Sequence, residues 1–174
     1  MKRITAHQIA LSALACALAT IFLTLGLYVD VLLLTAYLLA CVALMLPLSK
    51  NCYVGYALAY VATCILSFFF GASRFWELLP FIMFFGLHPI VNELQLKIKI
   101  NRWLACILKG LWFDGTLYVI WRFVYAMTTP IPYLDKFIIP IILVVGTVFF
   151  IFYDYAAYKW RAAVNILVRR ISKK

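Results

Sequence analysis

Charge is scarce in this chain: Asp, Glu, Lys and Arg make up 13% of its 174 residues, and Asp and Glu together number 6. A soluble domain carries about 25% charged and about 45–50% apolar residues. Here the apolar share is 67% and the mean hydropathy +1.03, which excludes a water-soluble globular domain and an intrinsically disordered chain and leaves lipid as the solvent. The formal charge of +10 does not point to nucleic acid, because the basic residues punctuate long apolar runs and do not gather on one face. They read as membrane topology. Histidine is limited to His7 and His88, so zinc or haem ligation has little to work with. The five cysteines (Cys16, Cys41, Cys52, Cys64, Cys106) are odd in number and form no CxxC pair; they read as small buried hydrophobes. GxSxG, Walker A and HExxH patterns are missing. Neither an enzyme nor a cofactor is expected.

What the chain does have is apolar runs of bilayer length. A helix needs roughly 20 apolar residues to cross the ~30 Å hydrocarbon core, and the charge-sparse stretches supply six such spans: residues 4–28, 31–48, 52–70, 76–92, 103–127 and 137–160. The fifth is interrupted by Lys109, Asp114 and Arg122, and its crossing is argued from its neighbours. The expected fold is an all-α integral membrane protein, a single six-helix bundle with both termini cytoplasmic. That topology places Lys2, Arg3, Lys50, Lys97, Lys99, Arg102, Lys159, Arg161, Arg169, Arg170, Lys173 and Lys174 inside and Arg74 and Lys136 outside, as the positive-inside rule asks. Lys2 and Arg3 before an apolar run resemble a signal peptide. The 26 uncharged residues between Arg3 and Asp30, with no polar spacer after Cys16, favour a retained helix. Beyond Trp160, Ala163, Val164, Leu167, Val168 and Ile171 fall at helical spacing among basic residues. Residues 161–174 therefore read as a basic amphipathic helix on anionic headgroups, or as a docking site for a cytoplasmic partner.

Three constellations carry functional weight. In the first span Ala6, Ala10, Ala13, Ala17, Thr20 and Thr24 recur at alternating spacings of four and three, one stripe along a helix. In lipid, such a seam permits close backbone approach, against a helix of this chain or of another protein. In the fifth span, counting 1.5 Å per residue from Arg102, Lys109 lies roughly 10 Å deep, Asp114 roughly 18 Å and Arg122 roughly 30 Å. Lys109 can snorkel to the inner surface and Arg122 to the outer one. Asp114 cannot, at a cost of about 2.5–3.5 kcal/mol for a mid-membrane carboxylate. It either locks packing beside Gly110 and Gly115 or touches a ligand. In the fourth span Pro80 and Pro89 release the carbonyls of Trp76 and Phe85, with His88, a packing residue or a proton relay, beside the second break. Aromatic residues crowd the fifth span and the ends of its neighbours. They form an interfacial belt or, with Arg122 and Glu77, line a pocket for a flat or amphipathic small molecule.

Six helices, about twenty kilodaltons, a basic loop between the fourth and fifth spans and an alanine-rich first helix resemble the substrate-binding S components of energy-coupling factor (ECF) vitamin transporters. That family's AxxxA motif in the first helix is matched by Ala13-Leu14-Ala15-Cys16-Ala17, and by spacing at Ala6 and Ala10. The resemblance implies a bacterial plasma-membrane protein that captures a small vitamin-like solute and does no chemistry. Its partners would be a transmembrane coupling subunit and ATPase subunits, the first of these contacted through Ala6, Ala10, Ala13 and Ala17. Asp114, Tyr118, Trp121, Arg122 and Glu77 are the expected substrate-binding residues; Arg122 suggests an acidic group on the ligand and the aromatics a ring. A rod-shape scaffold of the MreD type, with no small ligand, is similar in size and helix number.

Overall fold

The computed structural model describes residues 5–98, 100–125 and 132–171. Among them every regular element is helical. Six stretches are long and apolar enough to cross a membrane: Ala6–Tyr28, Asp30–Leu48, Tyr53–Phe70, Ser73–Ile98, Arg102–Val124 and Phe137–Ile171. The chain forms two compact units, Met1–Leu94 with Ala157–Lys174, and Gln95–Ala156.

The first unit is built on α1 (Ala6–Tyr28), α2 (Leu33–Leu48) and α3 (Tyr53–Phe70). Thr5 starts α1 through a capping box: its hydroxyl accepts from the Gln8 amide while the Gln8 side chain accepts from the Thr5 amide. Such a cap stabilises a helix by about 1 kcal/mol. The Gln8 side chain also donates to the Lys50 carbonyl at 3.2 Å, tying the start of α1 to the turn between α2 and α3. That turn closes on Asn51 at φ 53°, a left-handed position that asparagine tolerates better than most residues. At Gly26 a β-carbon would lie 2.5 Å from the Ala36 methyl, so only glycine allows α1 and α2 to approach this closely.

The fourth span is not one helix. It divides into a 3₁₀ turn (Ala72–Leu78), a π turn (Phe81–Phe85) and α4 (His88–Ile98). The breaks fall at the two prolines, as the sequence indicates. The Trp76 carbonyl is taken back by the Leu79 amide, and Pro89 sits in the first turn of α4, where no amide donor is needed. Three other carbonyls of the segment accept from tyrosines of α2 and α3: Glu77 from Tyr37, Ile82 from Tyr60 at 2.7 Å, and Gly86 from Tyr56. Irregular backbone at membrane depth is tolerated where protein satisfies it, and here the tyrosine hydroxyls do so.

In the second unit α5 (Arg102–Ile120) runs into a π turn (Trp121–Tyr125). α6 (Pro132–Ile141) and a further π turn (Ile142–Gly146) lead into α7 (Thr147–Ile171). The expected end of the fifth span at Met127 lies outside the described residues. α7 continues without interruption past Trp160, so residues 161–171 prolong the last helix and are not a separate element. The apolar stripe expected there divides: Val164 and Val168 are buried in the first unit, whereas Ala163, Leu167 and Ile171 stay exposed. Arg161 fixes this packing through a 2.6 Å ion pair with the buried Glu93 of α4.

Candidate functional site

Two buried polar pairs join α5 to α7. Lys109 was expected to snorkel; instead it is buried, and its Nζ donates to Asp154 Oδ1 at 2.6 Å. An ammonium about 10 Å along a membrane helix is stabilised more by a close counter-ion than by stretching toward water. Removing one member of such a pair costs about 3–5 kcal/mol. One turn further on, Asp114 is 7% exposed. Its Oδ2 accepts from the Thr147 hydroxyl at 2.9 Å, while its Oδ1 is buried with no hydrogen-bond partner. Phe113, stacked on Phe149 at 5.8 Å and tilted against Phe150 at 5.9 Å, supplies the apolar wall beside both pairs.

Room for the Asp114 carboxylate comes from Gly146, where a β-carbon would lie 2.7 Å from Asp114 Oδ1. The sequence sets Gly110 and Gly115 beside Asp114 as partners in helix packing. Gly110 meets the Phe150 ring and Gly115 faces open space. Gly146 ends the π turn that leads into Thr147, and π turns re-aim side chains and recur at functional sites. The residues that sequence reasoning missed are thus Asp154, Gly146 and Thr147. Asp154 had a legible signal, being the one acidic residue between Phe137 and Trp160.

The remaining expected substrate residues are placed as follows. Tyr118, one turn beyond Asp114, is 44% exposed. Trp121 is half-buried and Arg122 exposed, both in the π turn that extends α5. Glu77 belongs to the first unit. Its Oε1 accepts from Arg74 Nε at 2.9 Å and Nη2 at 2.6 Å. Arg74 also donates to the Leu27 carbonyl at 2.6 Å and pairs with Asp30. This cluster binds the end of α1 to the fourth span, leaving Glu77 Oε2 buried and unpartnered. His88 is fully buried, its Nδ1 3.4 Å from the Asn92 amide nitrogen and its ring against Phe84.

On α1 the expected stripe divides: Ala6, Ala10, Ala13 and Ala17 are exposed and Thr24 is half-buried, while Thr20 and the neighbouring Ala15 and Ala19 are buried. Among the described residues no three His, Cys, Asp or Glu side chains gather into a metal-ion set. Comparison of the chain with known protein families, with curated proteins and with solved structures finds no match.

Proposed function

We propose that this chain is the substrate-capture subunit of an ATP-driven importer of the ECF type, taking a small vitamin-like solute in the bacterial plasma membrane and working with a transmembrane coupling subunit and ATPase subunits. The observation that carries this reading is the exposure of Ala6, Ala10, Ala13 and Ala17 on α1. Two alanines of the same helix, Ala15 and Ala19, serve its own packing. Small residues exposed along a membrane helix gain close backbone approach only when another helix covers them, and a coupling subunit is such a helix donor. On this reading both termini are cytoplasmic, and the ligand meets the α5 face carrying Asp114, Tyr118, Trp121 and Arg122. The unpartnered Asp114 Oδ1 would accept a donor from the ligand, the rings would stack on it, and Arg122 would pair with an acidic group.

The test has two arms. Ala13→Trp and Ala17→Trp should abolish co-purification with a coupling subunit while leaving thermal stability in detergent unchanged. Among vitamins and nucleobase-like compounds, at least one should raise the Tm of the wild type, and Asp114→Asn or Arg122→Gln should remove that shift. Stabilisation by no compound, together with capture of cell-wall synthesis proteins in a pulldown, overturns the proposal in favour of an MreD-like scaffold.

A further inference from the structure

A second feature of the Gln95–Ala156 unit lies apart from the α5 face assigned to the solute. At the start of α5 a cavity of about 450 Å³ is lined by Arg102, Trp103, Cys106, Ile151, Asp154 and Tyr155. That volume falls in the ~300–1,000 Å³ range of small-ligand sites. Its character follows from its walls. Asp154 is neutralised by Lys109 at 2.6 Å, so with Arg102 the three charges sum to one positive. Cys106 and Ile151 supply apolar lining. Trp103 is 80% exposed and Tyr155 58% exposed, two amphipathic rings of the kind that settle at headgroup level. Arg102 is the first residue of a bilayer-length helix, which places its guanidinium where that helix leaves the hydrocarbon. A guanidinium binds phosphate oxygens in a two-pronged geometry that a carboxamide cannot reproduce.

We infer that this cavity receives the phosphate-ester headgroup of an anionic phospholipid, with Arg102 on the phosphate, Trp103 and Tyr155 beside the glycerol region, and an acyl chain leaving along Ile151. A cationic ligand is disfavoured, because the single carboxylate in the lining already holds an ammonium. A free phosphate ester shares the anionic chemistry but makes no use of the apolar wall or the two exposed rings. The inference does not depend on solute capture.

The experiment compares purified protein in nanodiscs of phosphatidylglycerol and of phosphatidylcholine, read by native mass spectrometry of retained lipid and by the rate of Cys106 alkylation. Cys106 lines the cavity and is half-buried, so an occupant should slow its labelling. Phosphatidylglycerol is expected to be retained preferentially and to slow Cys106 alkylation several-fold relative to phosphatidylcholine. Arg102→Gln should cut retained phosphatidylglycerol at least threefold, whereas Lys97→Gln, exposed on α4 and outside the cavity, should leave it unchanged. The alkylation comparison uses wild-type protein, so a poorly folding Arg102 variant does not blunt the test. Equal retention and equal labelling rates in the two lipids overturn the inference. So does glycerol 3-phosphate, free in solution, slowing Cys106 as effectively as the lipid, since the site would then be one for a soluble phosphate ester.

Discussion

The two compact units solve the same problem by different means. Both contain irregular helix at membrane depth, yet in the first unit the broken fourth span is met by neutral hydroxyls, from Tyr37, Tyr56 and Tyr60. In the second unit the Asp114 carboxyl is held by the hydroxyl of Thr147, the residue after a π turn, one level beyond the Lys109–Asp154 ion pair. The unpartnered groups differ accordingly. In the first unit they include hydroxyls of regular helices, such as Thr20 and Thr63, and one oxygen of a Glu77 carboxylate already held by Arg74. Among the described residues of the second it is an oxygen of a buried carboxylate with one hydroxyl for company. Burying an unsatisfied carboxylate oxygen costs more than burying a hydroxyl, and under the proposed function a ligand donor offsets that cost at Asp114.

The largest effect should come from breaking the ionic pair. Asp154→Ala strands a buried ammonium and should destabilise the protein by about 3–5 kcal/mol, measured by thermal unfolding in detergent. Replacing both partners with Leu or Met should restore most of that loss, and a double variant as unstable as the single would show that the pair contributes more than mutual neutralisation. Next come the two faces of α1. Ala15→Trp or Ala19→Trp overfills a closed contact and should cost about 3 kcal/mol, the upper end of the usual overpacking range. The same change at Ala13 or Ala17 should stay within about 0.5 kcal/mol, as surface substitutions do. Equal losses on both faces would mean that the stripe is internal. Tyr56→Phe leaves the Gly86 carbonyl without its donor and should cost about 1–3 kcal/mol, more than Tyr60→Phe at the partly exposed neighbouring site. Comparable is Thr147→Val, which removes the hydroxyl that Asp114 accepts from and should cost about 1–3 kcal/mol, a loss that a bound ligand donating to Asp114 should reduce. A loss that no ligand reduces would make Asp114 a packing lock, not a ligand contact.

These contrasts were only partly legible beforehand. Apolar runs bounded by Asp30, Lys50, Arg74 and Arg102 mark the first three spans and the fifth to within a few residues, because lipid imposes length on sequence directly, whereas the fourth and sixth helices run on to Ile98 and Ile171. Pro80 and Pro89 mark the breaks for an equally local reason, the missing amide. The partners of the buried groups were not legible. Lys109 and Asp154 are 45 residues apart, and nothing local says which depth of α7 faces α5. The choice of Gly146 over Gly115 to make room for Asp114 likewise depends on helix rotation. The orientation of the α1 stripe was open for the same reason: a four-three alternation of alanines describes a face without saying what covers it.

The tyrosine contacts to the fourth span bear on biogenesis. All three donors precede their acceptors in the chain, so α2 and α3 are synthesised before residues 72–87. A segment with loose carbonyls partitions poorly into hydrocarbon by itself, but it emerges when its donors have already entered the bilayer. Synthesis from the N-terminus therefore supplies a ready-made polar lining for a stretch that would otherwise stall at the insertion machinery.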